Sequence, residues 1–168
     1  MKISKASIGD VVDLLPLINS AYRGETSRLG WTTEADLLDG FRIDEKSLKD
    51  MLSNSDSTLL KVENNKTIIG CVYLKKEDNK LYLGMLTVMP TLQNNGIGKM
   101  LLLEAENQAL VFGCSIIYMR VITDRIELIE WYLRQGFHAT GNTEPFILDP
   151  KFGKTKKDLA FTILQKSI

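Results

Sequence analysis

The chain has 168 residues with 21 basic and 21 acidic side chains, so one domain spanning 1–168 is expected, long enough to bury about 70% of its unfolded surface. The even charge leaves no basic footprint for nucleic acid and no polybasic patch for a membrane surface. No basic segment leads into an apolar stretch and no apolar run reaches the roughly 18 residues of a membrane span, so a soluble cytoplasmic protein is expected.

Residues 2 to 5 read as a short strand. From Gly9 to Tyr22 a stripe of Val11, Leu14, Leu15, Ile18 and Tyr22 predicts a helix entered by Ser7 or Asp10. The segment "RGETSRLGWTT" is a polar loop with two glycines, after which Thr33 is expected to cap a helix through "EADLLDGF". A second short helix is expected from about Asp44 to Leu52. Three strands follow, "STLLKVEN", "KTIIGCVYLKKE" and "KLYLGMLTV", joined by the turns at Asn64–Lys66 and "EDNK" into an antiparallel meander. A helix over 97–112 ends at Gly113, and "SIIYMRV" is a buried strand. In "TDRIELIEWYLRQGF", Asp124 as N-cap with Glu127 three residues on predicts a capping box, and Gly136 stops the helix. Strands near 137–141 and 159–165 flank a loop. The order is mixed α/β with one central sheet. Cys71 and Cys114 lie in apolar surroundings and read as buried free thiols, and two separated cysteines with one histidine offer no metal site.

The entrance of the 97–112 helix is unusual. Helix first turns favour acids, because the N-terminal end carries partial positive charge. No acid occurs between Asp78 and Glu104, and the first turn holds Lys99 behind the run Gln93, Asn94, Asn95, Gly96, Ile97, Gly98. Free N–H groups at a glycine-rich helix start suit phosphate, so an anion site from Gln93 to Lys99 is expected.

A strand, "QNNGIG" opening a helix, a second strand, and a helix ending "WYLRQGF" together resemble the GCN5-related N-acetyltransferase (GNAT) superfamily. Its Gln/Arg-x-x-Gly-x-Gly/Ala signature is matched by Gln93, Gly96 and Gly98, and its tyrosine four residues before Gly-Phe by Tyr132. The close resemblance covers about 81 to 137. It implies a mixed sheet of about six or seven strands with a splayed parallel pair, flanked by about four helices. It implies acetyl-CoA as the acyl donor, with no metal. The pyrophosphate would sit on the backbone of Asn94 to Lys99, and the pantetheine arm on Leu86, Thr87 and Val88. The Val88 N–H would face the thioester carbonyl, and Tyr132 would protonate the departing thiolate.

Two departures from the family pattern matter. Where many members have Asn seven residues before the tyrosine, this chain has Arg125, read either as a guanidinium reaching phosphate or substrate, or as a solvated first-turn residue. The strand "GMLTV" also carries no acid, so the general base is not readable. For the acceptor side, Glu25, Arg28, Trp31, Thr32 and Glu34 concentrate in one loop. The acids would attract an ammonium and Arg28 a carboxylate, which suits an amino-acid-like primary amine. His138 reads as an exposed strand residue. The reading is an N-acetyltransferase acting on a small-molecule amine, as a monomer or homodimer. A protein N-terminus or lysine as acceptor, and a CoA-binding sensor without chemistry, are the alternatives.

Overall fold

The computed structural model describes residues 1–168. Strands β1 (Lys2–Lys5), β2 (Ser57–Asn64), β3 (Thr67–Glu77), β4 (Lys80–Val88), β5 (Ile116–Ile122), β6 (His138–Pro145) and β7 (Ala160–Ser167) form one sheet, ordered β1-β2-β3-β4-β5-β7-β6. Helices are α1 (Val11–Tyr22), the single turn α2 (Gly24–Ser27), α3 (Glu45–Ser53), α4 (Ile97–Val111) and α5 (Ile126–Arg134). This is the mixed sheet expected, with β4 and β5 its one parallel pair. None of the helices is long and apolar enough to cross a membrane.

The sequence of β3 explains its place. "IIGCVYL" is apolar throughout, as a strand covered on both faces must be. Val72 and Leu74 face the core that packs α4 and α5, while Cys71 and Tyr73 face the core that packs α1 and α3. Both cysteines are buried and unpaired.

Helix boundaries follow local chemistry. Ser7 and Asp10 form a reciprocal capping box ahead of α1. Asp44 caps α3 through an acceptor bond from the Ser47 N–H at 2.7 Å. Gly113 and Gly136, at φ +68 and +91, end α4 and α5.

Three expectations are corrected. The polar loop after α1 contains the turn α2. The helix over 34–41 is a single turn closed by the Leu38 N–H to Glu34 O at 3.0 Å. Its continuation pairs with the late loop instead: Asp39 N–H to Lys154 O at 2.9 Å, Phe41 N–H to Phe152 O at 3.1 Å, and Lys156 N–H to Leu37 O at 2.9 Å. The remote partner satisfies backbone groups that a helix would have satisfied locally. Third, Asp124 does not cap α5. It pairs with Lys157, and Glu127 accepts from Thr32 at 2.9 Å, so no capping box forms.

The parallel pair is short. It holds Lys80 to Tyr82 against Ile116 to Tyr118 and then opens. The cause lies in β4, where Gly84 stands opposite Tyr73 but Thr87 opposite Cys71, so two residues of β4 face one of β3. Met85 in this bulge has φ +52, which bends the strand away from β5.

The clasp between 37–41 and 152–156 depends on two glycines. A Cβ on Gly153 (φ +121) would lie 2.2 Å from Asp39 O, and one on Gly40 would lie 2.1 Å from Phe152 O. Gly153→Ala is therefore expected to cost about 1–3 kcal/mol. The measurement is thermal denaturation with limited proteolysis across 148–156; unchanged melting and cleavage would show that the clasp is not held this way.

Candidate active site

The opened seam of the sheet is flanked by two cavities. The first, of about 310 Å³, is lined by Leu86, Thr87 and Val88 of β4, by Gln93, Asn94 and Gly96 to Lys99, and by Arg125, Trp131 and Tyr132. The second, of about 440 Å³, lies between the diverging segments Leu83–Leu86 and Met119–Ile122. Tyr22, Leu86, Arg125, Leu128 and Tyr132 line both.

The α4 entrance supplies unused donors. No N–H from Asn94 to Lys99 is donated within the chain, whereas that of Met100 already bonds Gly96 O at 3.0 Å. Asn94 and Gly96, at φ +66 and +79, curl this run into a cradle. A Cβ at Gly98 would meet the Trp131 ring at 3.3 Å, so the glycine lets α5 approach the cradle. Lys99 lines the same cavity. Donors, positive helix end and lysine together fit a diphosphate. Asn95 stands apart: its side-chain amide turns back to Leu92 O and Gln93 O. Gln93 ties two walls together, accepting from the Trp31 N–H at 2.9 Å and donating to Val88 O at 3.3 Å.

The β4 backbone is set by register. Met89 donates to Ile69 O and Thr87 lies opposite Cys71, so bonding alternates and the intervening Val88 N–H points away from β3, toward the seam. The Thr87 side chain plays no such part. It is 1% exposed and its hydroxyl bonds Met85 O. Leu86 O accepts from the Tyr22 hydroxyl at 3.0 Å.

Tyr132 is the one buried residue of α5 and stands where the cavities meet. Its ring packs edge-on against Trp131 and Phe137, at 5.0 and 5.8 Å between centroids. Burial raises its phenol above the ordinary tyrosine value, so it holds its proton across the neutral range. Burial likewise pushes Tyr22 up to about 12.

The predicted acceptor residues divide. Trp31 lines the first cavity, 6.3 Å from Trp131. Arg28 pairs at the surface with Glu25, whose side chain is 90% exposed, at 3.1 Å and with Asp36 at 2.8 Å, and neither Glu25 nor Arg28 lines either cavity. Glu34 is 5% exposed and clamped between Arg23 at 2.8 Å and Arg125 at 3.2 Å. Arg125 also donates to Thr32 at 2.8 Å, so it is neither solvated nor free to leave for phosphate. Arg23 extends the lock to Asp39 O and Phe41 O.

Sequence reasoning missed Tyr22, Arg23 and Trp131, while Thr32, named with the acceptor loop, does line the first cavity. Tyr22 carried only a helical-stripe signal, and Arg23 looked like an ordinary loop residue. Trp131, beside Tyr132 in "EWYL", was the legible one, because two adjacent aromatics on an amphipathic helix must present one to a second surface.

The split sheet, the donor-rich helix entrance and the buried phenol between two cavities define an acyl-CoA N-acyltransferase. The family model described as "Acetyltransferase (GNAT) family" matches residues 18–137. The chain belongs to the GNAT acetyltransferase family. No curated protein matches the sequence. Among solved structures, the ribosomal-protein-S18-alanine N-acetyltransferase of Escherichia coli is similar at 15% identity and TM-score 0.74, over 99% of this chain and 93% of that one. The PaiA N-acetyltransferase of Thermoplasma acidophilum, in complex with coenzyme A, is 22% identical with TM-score 0.72, over 99% and 98%. The ribosomal-protein-alanine N-acetyltransferase of Brucella melitensis is 20% identical with TM-score 0.74, over the whole of both chains. At these identities the likeness shows the fold.

Two expectations follow from the geometry. Glu34→Gln leaves two buried guanidinium groups short of their carboxylate and should destabilise by about 3–5 kcal/mol, whereas Glu25→Gln at the surface should change stability by less than about 0.5 kcal/mol. Denaturant unfolding of both variants measures this, and equal effects would contradict the buried clamp. Gly98→Asp places bulk against Trp131 and negative charge at the cradle; calorimetry should show coenzyme A binding lost, and retained affinity would remove the anion site from α4.

Proposed function

We propose that the protein transfers the acetyl group of acetyl-CoA to a primary amine of a small, amino-acid-like molecule, with residues 1–168 acting as one domain. The observation that carries this is the position of Tyr132 at the junction of the two cavities. Acetyl-CoA, when bound, supplies the acetyl group as an activated thioester. The unused N–H groups of 94–99 and Lys99 hold its diphosphate, and Gln93 keeps the cradle against the Trp31 wall. The seam edge at Leu86 and Val88 receives the amide-bearing arm, and the Val88 N–H donates to the carbonyl oxygen as negative charge develops there.

The acceptor amine enters from the second cavity and attacks across the seam. Tyr132 then donates its proton to the departing sulfur. Burial keeps the phenol protonated across the neutral range but also makes it a weaker acid than a free tyrosine, so transfer to a thiolate of ordinary pKa near 8.5 is uphill and depends on the negative charge developing on the sulfur beside the hydroxyl. Glu34 is not the base, since its carboxylate is held by two arginines, so the amine is expected to arrive neutral, and the proton its nitrogen sheds after attack returns through water to the Tyr132 phenolate. Two unpaired buried thiols suit a reducing cytoplasmic setting.

A protein N-terminus is the second reading, favoured by the names of two structural neighbours that act on ribosomal-protein alanine. Walling of the second cavity by Phe146 to Asp149 and Phe152 supports the small acceptor over it.

Tyr132→Phe is expected to lower kcat for thiol release by about 10²-fold with little change in acetyl-CoA affinity. Steady-state kinetics across an amine set, with alanine-starting peptides included, measures this. Unaltered turnover would remove the acid role; no thiol release from any amine by the wild type would leave a CoA-binding protein.

A further inference from the structure

The second cavity carries more positive charge than its acids can match. Its charged lining residues are Arg23, Arg42, Arg120, Arg125, Glu34 and Asp149. Glu34 is shared between Arg23 and Arg125, and Arg120 is neutralised from outside by Glu144 at 2.6 Å. Asp149 is occupied at its own turn, accepting from the Lys151 N–H at 3.0 Å. Arg42 has no carboxylate within ion-pair distance and lies over the Tyr22 ring, 5.3 Å from its centroid. Arg125 reaches the same ring at 5.8 Å, and its Nε–H is buried without a partner. Two guanidinium groups therefore converge on Tyr22, which lines both cavities.

Such a surplus is costly in a half-buried cleft unless an anion completes it. It also opposes an acceptor whose only charge is an ammonium. The remaining walls are apolar, with Ile43, Met51, Leu83, Phe146 and Phe161 among them.

We propose that the second cavity selects acceptors bearing a carboxylate on an apolar body, and that Arg42, with Arg125 beside it across the Tyr22 ring, receives that carboxylate. This rests on the reading of the second cavity as the acceptor site. It moves the anion-recognising role from Arg28, which lines neither cavity, to Arg42. An apolar α-amino acid meets both requirements: its carboxylate engages the arginines while its side chain occupies the apolar wall. Arg42 acts as a specificity residue, not as a participant in proton transfer.

The test compares N-acetylphenylalanine with its amide, which differ only in the carboxylate, and phenylalanine with phenylalaninamide, whose KM values are compared on the neutral-amine fraction because the carboxylate also raises the amine's basicity. In calorimetry on CoA-saturated wild-type protein, N-acetylphenylalanine should bind about tenfold or more tightly than its amide. Arg42→Gln should remove most of that preference, and Arg42→Lys, keeping the charge without the planar fork, should retain part of it. Equal binding of acid and amide by the wild type overturns the proposal without recourse to any variant, and so does a preference that survives in Arg42→Gln. In thiol-release kinetics, phenylalanine should show a lower KM than its amide at similar kcat, and Arg42→Gln should raise KM for the acid alone. Thiol release from both amines with equal KM overturns the carboxylate site and leaves acetyl transfer standing. A clear acid preference in binding without any thiol release overturns acetyl transfer and upholds the carboxylate site.

Discussion

The extra residue in β4 is the constraint on which the site depends. A parallel pair continued to Val88 would consume every backbone group between β4 and β5 and fill the space on either side. The bulge around Met85 ends the pairing at Tyr82 and Tyr118. Beyond it the strand edges face each other across a gap, and unpaired backbone groups in a buried gap must find partners. Tyr22 satisfies one of them, Leu86 O. Those left on the seam side form an edge that an amide-bearing chain can complete as a strand would. The non-glycine residue held at positive φ is a local cost that the two cores flanking the sheet outweigh.

Electrostatics then divides the molecule into two specialised ends. On one side, the start of α4 is arranged for an anion by leaving its N–H groups free and omitting acids from its first turn. On the other, arginines are gathered around Tyr22 and Glu34. The Arg23–Glu34–Arg125 clamp also fixes the 23–41 segment onto the start of α5. A buried three-charge group of this kind adds little net stability, but it holds the cavity wall in one register with respect to the phenol.

How much of this was legible depended on whether the signal was local. The meander, α1, α3, α4 and α5 announced themselves by period and by stop residues such as Gly113 and Gly136, because each satisfies its hydrogen bonds near at hand. The cradle was readable for the same reason, since Gln93 to Lys99 are consecutive. What could not be read depends on distant partners. Residues 34–41 have helical propensity yet bond to 152–156, more than a hundred positions later. Asp124 and Glu127 have the spacing of a capping box, but Lys157 and Thr32 outcompete the backbone for them. Glu34 and Glu25 look alike in a polar loop, and only the fold buries one between arginines and leaves the other in water. Arg42 follows the same logic, because neither its place in the cavity nor its lack of an acidic partner has a sequence signature.

Strand order has a consequence for how the chain is made. β7 lies between β5 and β6, although β6 precedes it in sequence. During synthesis β6 therefore emerges before the only strand it pairs with, and β5 waits with an open edge on the same side. Both must remain unpaired, or be shielded, while the residues from Phe146 to Leu159 are added, and the clasp onto 37–41 closes in that same interval. The second cavity, walled in part by Phe146 to Asp149 and Phe161, is thus the last part of the molecule to take shape. The cradle at the start of α4, built from contiguous residues near the middle of the chain, is laid down before it. A nascent chain is accordingly expected to gain the donor-rich entrance of α4 well before it gains the walls of the second cavity.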